Sequence, residues 1–144
     1  MEEAWLRLES AVRAACKGSD EWPAGVAAGI YAALDLVVAD PAAASRLLIE
    51  RPQSRAEQRR RYTLGITRFA ELLGERCPQE HPTSTHRAAI HSVAAMIADH
   101  VRSERQQGLA AIGPELVQLA LLPYLSFAEA KGWAERTLRR DNLS

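Results

Sequence analysis

One stretch of the sequence, residues 113–130, places two helices on either side of a proline corner. Pro114 suits the first position of a helix, because the N–H that proline lacks would have no partner there. Pro123 disfavours the helical conformation in the residue before it, which ends the first helix. Ser126 and Glu129 have the three-residue spacing of a capping box, which starts the next helix. The spacing therefore predicts a helix, a fixed corner and a second helix.

The helix that begins at Pro114 carries more apolar surface than one core-facing stripe requires. Its apolar residues are Leu116, Val117, Leu119, Ala120 and Leu121. Part of this surface is expected to meet a second apolar body. Because a two-fold interface is self-complementary, one such patch per chain is enough to form a homodimer. The residues predicted for the dimer interface are Leu116, Leu119, Leu122, Tyr124, Phe127 and Ala130.

The composition indicates one domain without an excess of either charge. The 144 residues are about one domain long, and a chain of this size can bury a real core, so residues 1–144 are expected to form a single domain. Lysine and arginine together number 18, as do aspartate and glutamate. Proteins that bind nucleic acid by themselves have a basic excess, so DNA binding by this chain alone is not expected.

The cysteines and the first residues predict where the protein resides. Cys16 and Cys77 lie far apart, without a CxxC or metal-ligand spacing, which is typical of a reducing compartment. The start of the sequence lacks the basic and apolar regions of a secretory signal. No apolar run approaches the roughly 18 residues of a membrane span. We therefore expect a soluble, cytoplasmic protein without a membrane partner.

Apolar residues recur at three- and four-residue steps and β-branched alternation is absent, which predicts an all-α fold. The first helix is expected over about 3–16, and the second follows a cap signal at residues 19–20. The Asp-Pro step at residues 40–41 separates the second helix from a short third one. Three helices are thus expected in the first third of the chain.

The remaining helices follow from caps and breakers. A capping box at Ser54 and Glu57 starts a fourth helix that ends near Arg76. The longest periodic segment spans 83–107 and predicts a central fifth helix. With the two helices of residues 113–130, the chain is expected to form an antiparallel bundle of about seven helices.

Two segments resemble the regulatory domain of TetR-family transcription repressors. In residues 113–130, a Pro-Glu-Leu helix leads into a Pro-Tyr-Leu corner and an alanine-containing last helix. In residues 36–48, an apolar helix is followed by an Asp-Pro step and an Ala-Ser-Arg-Leu-Leu helix. The segments occur in the order found in the family, so the resemblance extends over nearly the whole chain.

The resemblance implies a TetR-like C-terminal domain that senses an effector and dimerises. In such repressors a small apolar or amphipathic ligand binds between the helices and controls DNA binding. The bases are read by an N-terminal helix-turn-helix, whereas this sequence opens on what resembles the later part of the connecting helix. DNA is therefore expected as a partner only through a helix-turn-helix that is absent here. The chain is either one part of a longer regulator or a natural stand-alone sensor.

Five large, partly polar side chains fall on or beside the apolar faces of different helices. They are Tyr31, Tyr62, Phe69, Met96 and His100. One interpretation places them in the core. In the other interpretation, some of them line a cavity, where aromatic and methionine groups form an adaptable wall. We adopt this second interpretation and take the five residues as the predicted ligand-binding set. Trp22 and Trp133 lie nearer helix ends and are expected to contribute packing there.

No residue pattern predicts catalysis, a metal site or a cofactor. His86 and His91 are five residues apart and diverge by about 140° around a helix, so they cannot share a metal ion. The sequence has no nucleophile elbow or phosphate loop, so we do not expect an enzyme. The arginines around residues 55–61 predict a solvated helix face or, as the alternative, a contact with DNA phosphates.

The sequence is also compatible with two other functions. The first alternative is a stand-alone helical dimerisation or protein-interaction module that binds neither ligand nor DNA. The second is a ligand-carrier or enzyme-like bundle, which a site of converging polar groups would favour.

Overall fold

The computed structural model describes residues 3–48, 55–103 and 108–143. These residues contain seven α-helices and one short 3-10 helix, and no strand. In chain order they are α1 (Glu3–Lys17), α2 (Trp22–Ala39), α3 (Pro41–Leu48), α4 (Arg55–Glu75), α5 (Thr83–Arg102), the 3-10 helix (Ala110–Ile112), α6 (Gly113–Leu121) and α7 (Phe127–Leu143). The predicted all-α bundle of about seven helices is confirmed. The predicted cap at Ser54 and the predicted helix end at Gln107 lie outside the described residues.

Local hydrogen bonds start two helices where the sequence predicts them. The Glu129 amide donates to Ser126 Oγ at 3.2 Å, and the Ser126 amide donates to Glu129 Oε1 at 3.3 Å. This reciprocal pair is the expected capping box at the start of α7. Asp40 caps α3 in a similar way, since its Oδ1 accepts the Ala43 amide at 3.1 Å.

The proline corner has a different geometry from the predicted one. α6 ends at Leu121, but Leu122 keeps helical angles, with φ −54° and ψ −38°. The amides of Tyr124 and Leu125 both donate to the Leu121 carbonyl, at 2.9 and 3.0 Å. The expectation that Pro123 moves the preceding residue out of the helical region was therefore wrong. The steric restriction before proline is a preference, and the two hydrogen bonds to one carbonyl outweigh it.

α2 lies at the centre of the bundle. It packs along α1 on one side and against α6 and α7 on the other, while α5 contacts α4, α3 and α6. α2 is long and apolar enough to cross a membrane by length and composition, contrary to the expectation that no apolar run has that length. Its contacts with α1, α6 and α7 account for part of this composition, since 39% of the helix is buried.

The deepest part of the core lies around α6. The largest side chains that are fully buried are Leu109, Leu116, Val117 and Leu121. α6 reaches this position because it contacts α2, α5 and α7 at once. The apolar surplus of α6 noted in the sequence is thus covered largely by other helices of the same chain.

Candidate functional site

A cavity of about 180 Å³ lies between the pair α1 and α2 and the pair α4 and α5. Its wall is almost entirely apolar. The apolar lining comes from Trp5, Leu8 and Val12 of α1, Trp22, Gly25, Val26, Gly29, Ile30, Ala33 and Val37 of α2, Ala44 of α3, Ile66, Phe69, Leu72 and Leu73 of α4, Ile90, Val93, Ala94 and Ile97 of α5, and Ala120 of α6. Such a wall offers van der Waals contact, so the part of a molecule held here has to be apolar.

Two glycines allow α1 to lie close against α2 beside the cavity. A Cβ atom on Gly29 would lie 2.9 Å from Cys16 Sγ and 3.1 Å from Val12 Cγ1. A Cβ atom on Gly25 would lie 3.1 Å from the Cys16 carbonyl oxygen. Larger residues at these positions would push α1 away from α2 and change the shape of the cavity.

α1 runs alongside α4 in the same direction, and Trp5 closes one end of the cavity between them. The Trp5 ring lies over Gly65, where a Cβ atom would come within 2.5 Å of the ring. The ring centroids of Trp5 and Phe69 are 6.2 Å apart. Because both rings line the cavity, this end is closed by aromatic surface.

Ion pairs cross between α1 and α4 along the outside of the cavity. Glu9 Oε1 lies 2.9 Å from Arg68 Nε, and Arg13 Nη1 lies 3.3 Å from Glu75 Oε1. In the Arg13–Glu75 pair both side chains are more than a third exposed, so this pair contributes about 0–1 kcal/mol. In the other pair, Glu9 is only 13% exposed. The exposed Arg13–Glu75 pair is therefore the weaker of the two, and the end of the α1–α4 boundary that it crosses is the easier one to open.

The opposite end of the cavity is polar. Lys17 is the last residue of α1, and Ser19 and Glu21 lie in the connection between α1 and α2. Glu75 is the last residue of α4, and Arg76 follows it. Arg76 Nη1 donates to the carbonyl of Cys16 at 3.3 Å and so joins the ends of α1 and α4. We call these five cavity-lining residues the polar rim.

Cys16 lines the cavity just inside the polar rim. Burial raises the pKa of its thiol, and the nearby charges of Arg76 and Arg13 offset this only in part. The thiolate is the reactive form of cysteine, so a thiol with a raised pKa is a poor nucleophile at neutral pH. Cys16 therefore serves as a neutral wall group.

Trp22 connects the cavity to a cluster of rings at the corner between α6 and α7. Its Nε1 donates to the Leu73 carbonyl at 3.0 Å, and its ring meets the Tyr124 ring edge-on at 4.9 Å. The Tyr124 hydroxyl lies 2.6 Å from Nδ1 of His86. His81 packs edge-on against Tyr124, with centroids 4.9 Å apart. The rings tie α2, the α4–α5 connection and the α6–α7 corner together.

Both polar partners in this cluster are held neutral. Burial, together with the charge of His81, lowers the pKa of His86. Burial, together with the charge of Cys77, raises the pKa of Tyr124 to about 12. At neutral pH the hydrogen bond therefore joins a neutral tyrosine hydroxyl to Nδ1 of a neutral imidazole. This pair has a structural role, and His86 is a buried histidine with its hydrogen-bond partner in the protein.

The structure brings only one of the five predicted ligand-binding residues to the cavity, and that residue is Phe69. Tyr31 instead packs against α6, where a Cβ atom on Gly113 would lie 2.5 Å from its ring. This close packing places Tyr31 in the core rather than in the wall of this cavity.

The other three predicted ligand-binding residues also lie away from the cavity wall. The Tyr62 hydroxyl is 3.0 Å from Nδ1 of His91, in an exposed pair between α4 and α5. His100 donates from Nδ1 to the Met96 carbonyl at 3.1 Å, within its own helix. Met96 packs against the core cluster. The sequence identified apolar helix faces correctly but not which of them face the cavity.

The predicted dimer interface is wrong at two positions. Leu116 and Ala130 are both 0% exposed within the protomer, because α6 and α7 turn back on each other at the corner and bury them. Tyr124 is half-buried in the ring cluster, and Leu119 is half-buried on α6. Leu122 is 41% exposed and Phe127 is 64% exposed. A partner could reach those last two most easily.

Several lining residues were missed or given another role in the sequence analysis. Trp22, expected to be boundary packing, lines the cavity and donates a hydrogen bond to α4. Trp5, in the predicted first helix, was not among the predicted ligand-binding residues, although it lines the cavity. The four-residue spacing of Gly25 and Gly29 is a signal that could have indicated close packing of α2 against another helix.

No protein-family model, curated protein or solved structure matches this chain.

Proposed function

We propose that this chain is the effector-sensing and dimerisation domain of a TetR-like transcriptional repressor. The observation that supports the proposal most strongly is the partly open apolar cavity lined mainly by α1, α2, α4 and α5. The motifs of residues 36–48 and 113–130 supply the link to transcription regulation, which is an argument from resemblance.

The size and chemistry of the cavity favour a small apolar effector. An engineered apolar cavity of about 150 Å³ is large enough to bind benzene, and the cavity here has about 180 Å³. A single aromatic ring or a short alkyl chain therefore fits without rearrangement. A larger effector would have to open the boundary between α1 and α4, which is crossed by the ion pairs of Glu9 and Arg13.

α1 is the helix through which an effector would act. It forms one wall of the cavity and is joined to α4 by the Trp5 packing and by the ion pairs of Glu9 and Arg13. In TetR-like repressors the corresponding helix leads to the DNA-reading heads, whose spacing of about 34–36 Å matches half-sites one helical turn apart. An effector that binds better when α1 is displaced would favour the mis-spaced state and release DNA.

The proposal includes dimerisation through the last helices, with an interface of fewer residues than the sequence predicted. Phe127 and Leu122 are the exposed large apolar residues among the α6–α7 positions up to residue 137, for which the structure describes exposure. Leu119 is half-buried and can add to the same surface. Leu116 and Ala130 are excluded, since a partner cannot reach them.

A thermal-shift screen of the whole chain tests the ligand-sensing part of the proposal. We expect hits among small apolar compounds, because a ligand at a hundred times its Kd adds about 2.7 kcal/mol to the stability of the folded state. A chemically diverse screen without a hit would contradict ligand sensing. That result would favour the alternative function, a helical dimerisation or protein-interaction module.

A further inference from the structure

The polar rim has an uneven charge distribution. Within the described residues, Glu75 pairs with Arg13 at 3.3 Å and Glu9 pairs with Arg68 at 2.9 Å. Arg76 donates instead to a neutral group, the Cys16 carbonyl. Three charged residues of the rim take no part in these ion pairs, namely Lys17, Arg76 and Glu21. Their charges sum to one positive charge.

The inner side of the rim experiences the same positive field. Among the charges near the Cys16 thiol, those of Arg76 and Arg13 lower its pKa by more than the charge of Glu75 raises it. Cys16 lines the cavity together with Lys17 and Arg76. Burial still disfavours an anion as deep as the Cys16 thiol, so the positive charges can stabilise a negative group only farther out, at the rim.

We propose that the cavity selects small apolar monocarboxylates, with the apolar body between α1 and α4 and the carboxylate at Lys17 and Arg76. This inference rests on the proposed ligand-sensing function. The charge has to lie at the rim, because the apolar wall farther inside would leave a carboxylate without partners. Arginine and lysine donate strong charge-assisted hydrogen bonds to carboxylates. The body of the ligand is one aromatic ring or a short alkyl chain, as the volume of the cavity requires.

Three probes of equal shape and different charge test this selection. They are 3-phenylpropanoate, 3-phenyl-1-propanol and 3-phenylpropylamine, titrated into the whole chain at pH 7.5. Trp5 and Trp22 line the cavity, so quenching of tryptophan fluorescence reports binding inside it. We expect the carboxylate to bind about tenfold more tightly than the amine, since partly exposed ion pairs contribute up to about 1 kcal/mol each. The alcohol should lie between them, and added salt should reduce the difference.

Charge-removing variants locate the preference. Lys17→Gln and Arg76→Gln should each weaken binding of the carboxylate by about threefold to fivefold while leaving the alcohol unchanged. Lys131→Gln is the matched control, because it removes one exposed positive charge on α7, outside the cavity lining. It should leave all three affinities unchanged.

Three results would overturn the inference. Equal affinity for the three probes would show that the rim does not select charge, although the cavity would still be a ligand site. An unchanged preference in both Lys17→Gln and Arg76→Gln would place the carboxylate elsewhere. Failure of all three probes to bind would also overturn it, and the thermal-shift screen would then decide separately whether the proposed ligand-sensing function survives.

Discussion

The Tyr124 hydroxyl lies 2.6 Å from Nδ1 of the buried His86 and thereby joins the corner after α6 to the first turns of α5. His86 is 9% exposed, so water can replace this hydrogen bond only poorly. The pair also positions the Tyr124 ring against Trp22, which lines the cavity. A structural hydrogen bond thus supports one wall of the candidate site.

Replacing Tyr124 by Phe should lower the free energy of unfolding by about 1–3 kcal/mol, because Nδ1 of His86 would be buried without its partner. Urea denaturation at pH 7.5 measures the loss. Tyr62→Phe is the matched control, since it removes a similar tyrosine–histidine bond of 3.0 Å in an exposed position. Equal losses in the two variants would contradict a special role for the buried pair.

His86 should also make stability depend on pH. Burial lowers its pKa in the folded state below the ordinary value of 6.5, so the unfolded chain binds a proton first as the pH falls. Its contribution is complete above pH 6.5 and is lost as the pH falls through the lower folded-state pKa. His86→Gln should flatten this part of the stability profile relative to the unmodified chain. Parallel profiles between pH 7.5 and 5 would contradict the assignment.

Gly65 should tolerate no side chain. In Gly65→Ala the new methyl would meet the Trp5 ring, and the resulting overpacking should cost about 1–3 kcal/mol of unfolding free energy. Gly132→Ala is the control within another helix, since a Cβ atom there meets nothing within 4 Å. That variant should gain up to about 1 kcal/mol, because alanine favours helix more than glycine does. Thermal unfolding of both variants checks the prediction, and a stable Gly65→Ala protein would refute the close Trp5 contact.

The exposed apolar residues near the α6–α7 corner should carry the dimer. We expect Phe127→Glu and Leu122→Glu to give folded monomers in light scattering, because charged groups cannot be buried cheaply in an apolar interface. Leu116→Glu should unfold the chain instead, since that side chain is fully buried. Unchanged dimers in both surface variants would remove this region from the interface.

Helix starts could be predicted because they depend on residues close in sequence. The Ser126–Glu129 box and the Asp40 cap each involve side chains within three residues of the amides that they bind. The conformation of Leu122 was not predictable in this way. It depends on how the chain after Pro123 folds back toward the Leu121 carbonyl.

The cavity and the covered surface of α6 depend on which helix faces meet, and that is not encoded locally. Periodicity identified Phe69 and Tyr31 alike as residues near apolar faces. The packing of α2 against α6 places Tyr31 against Gly113, whereas the packing of α4 beside α1 leaves Phe69 in the cavity wall next to Trp5. The apolar surplus of α6 was real, but neighbouring helices of the same chain cover most of it.

The central claim is that the cavity between α1 and α4 holds a small apolar molecule, and calorimetric titration of the best screening hit tests it most directly. Ala94 lines the cavity, whereas Ala95 on the same helix is exposed. Ala94→Leu should fill part of the cavity and weaken binding at least about tenfold, which corresponds to about 1.4 kcal/mol. Ala95→Leu should bind like the unmodified chain. Equal affinity of the two folded variants would show that the molecule binds elsewhere and would contradict the claim.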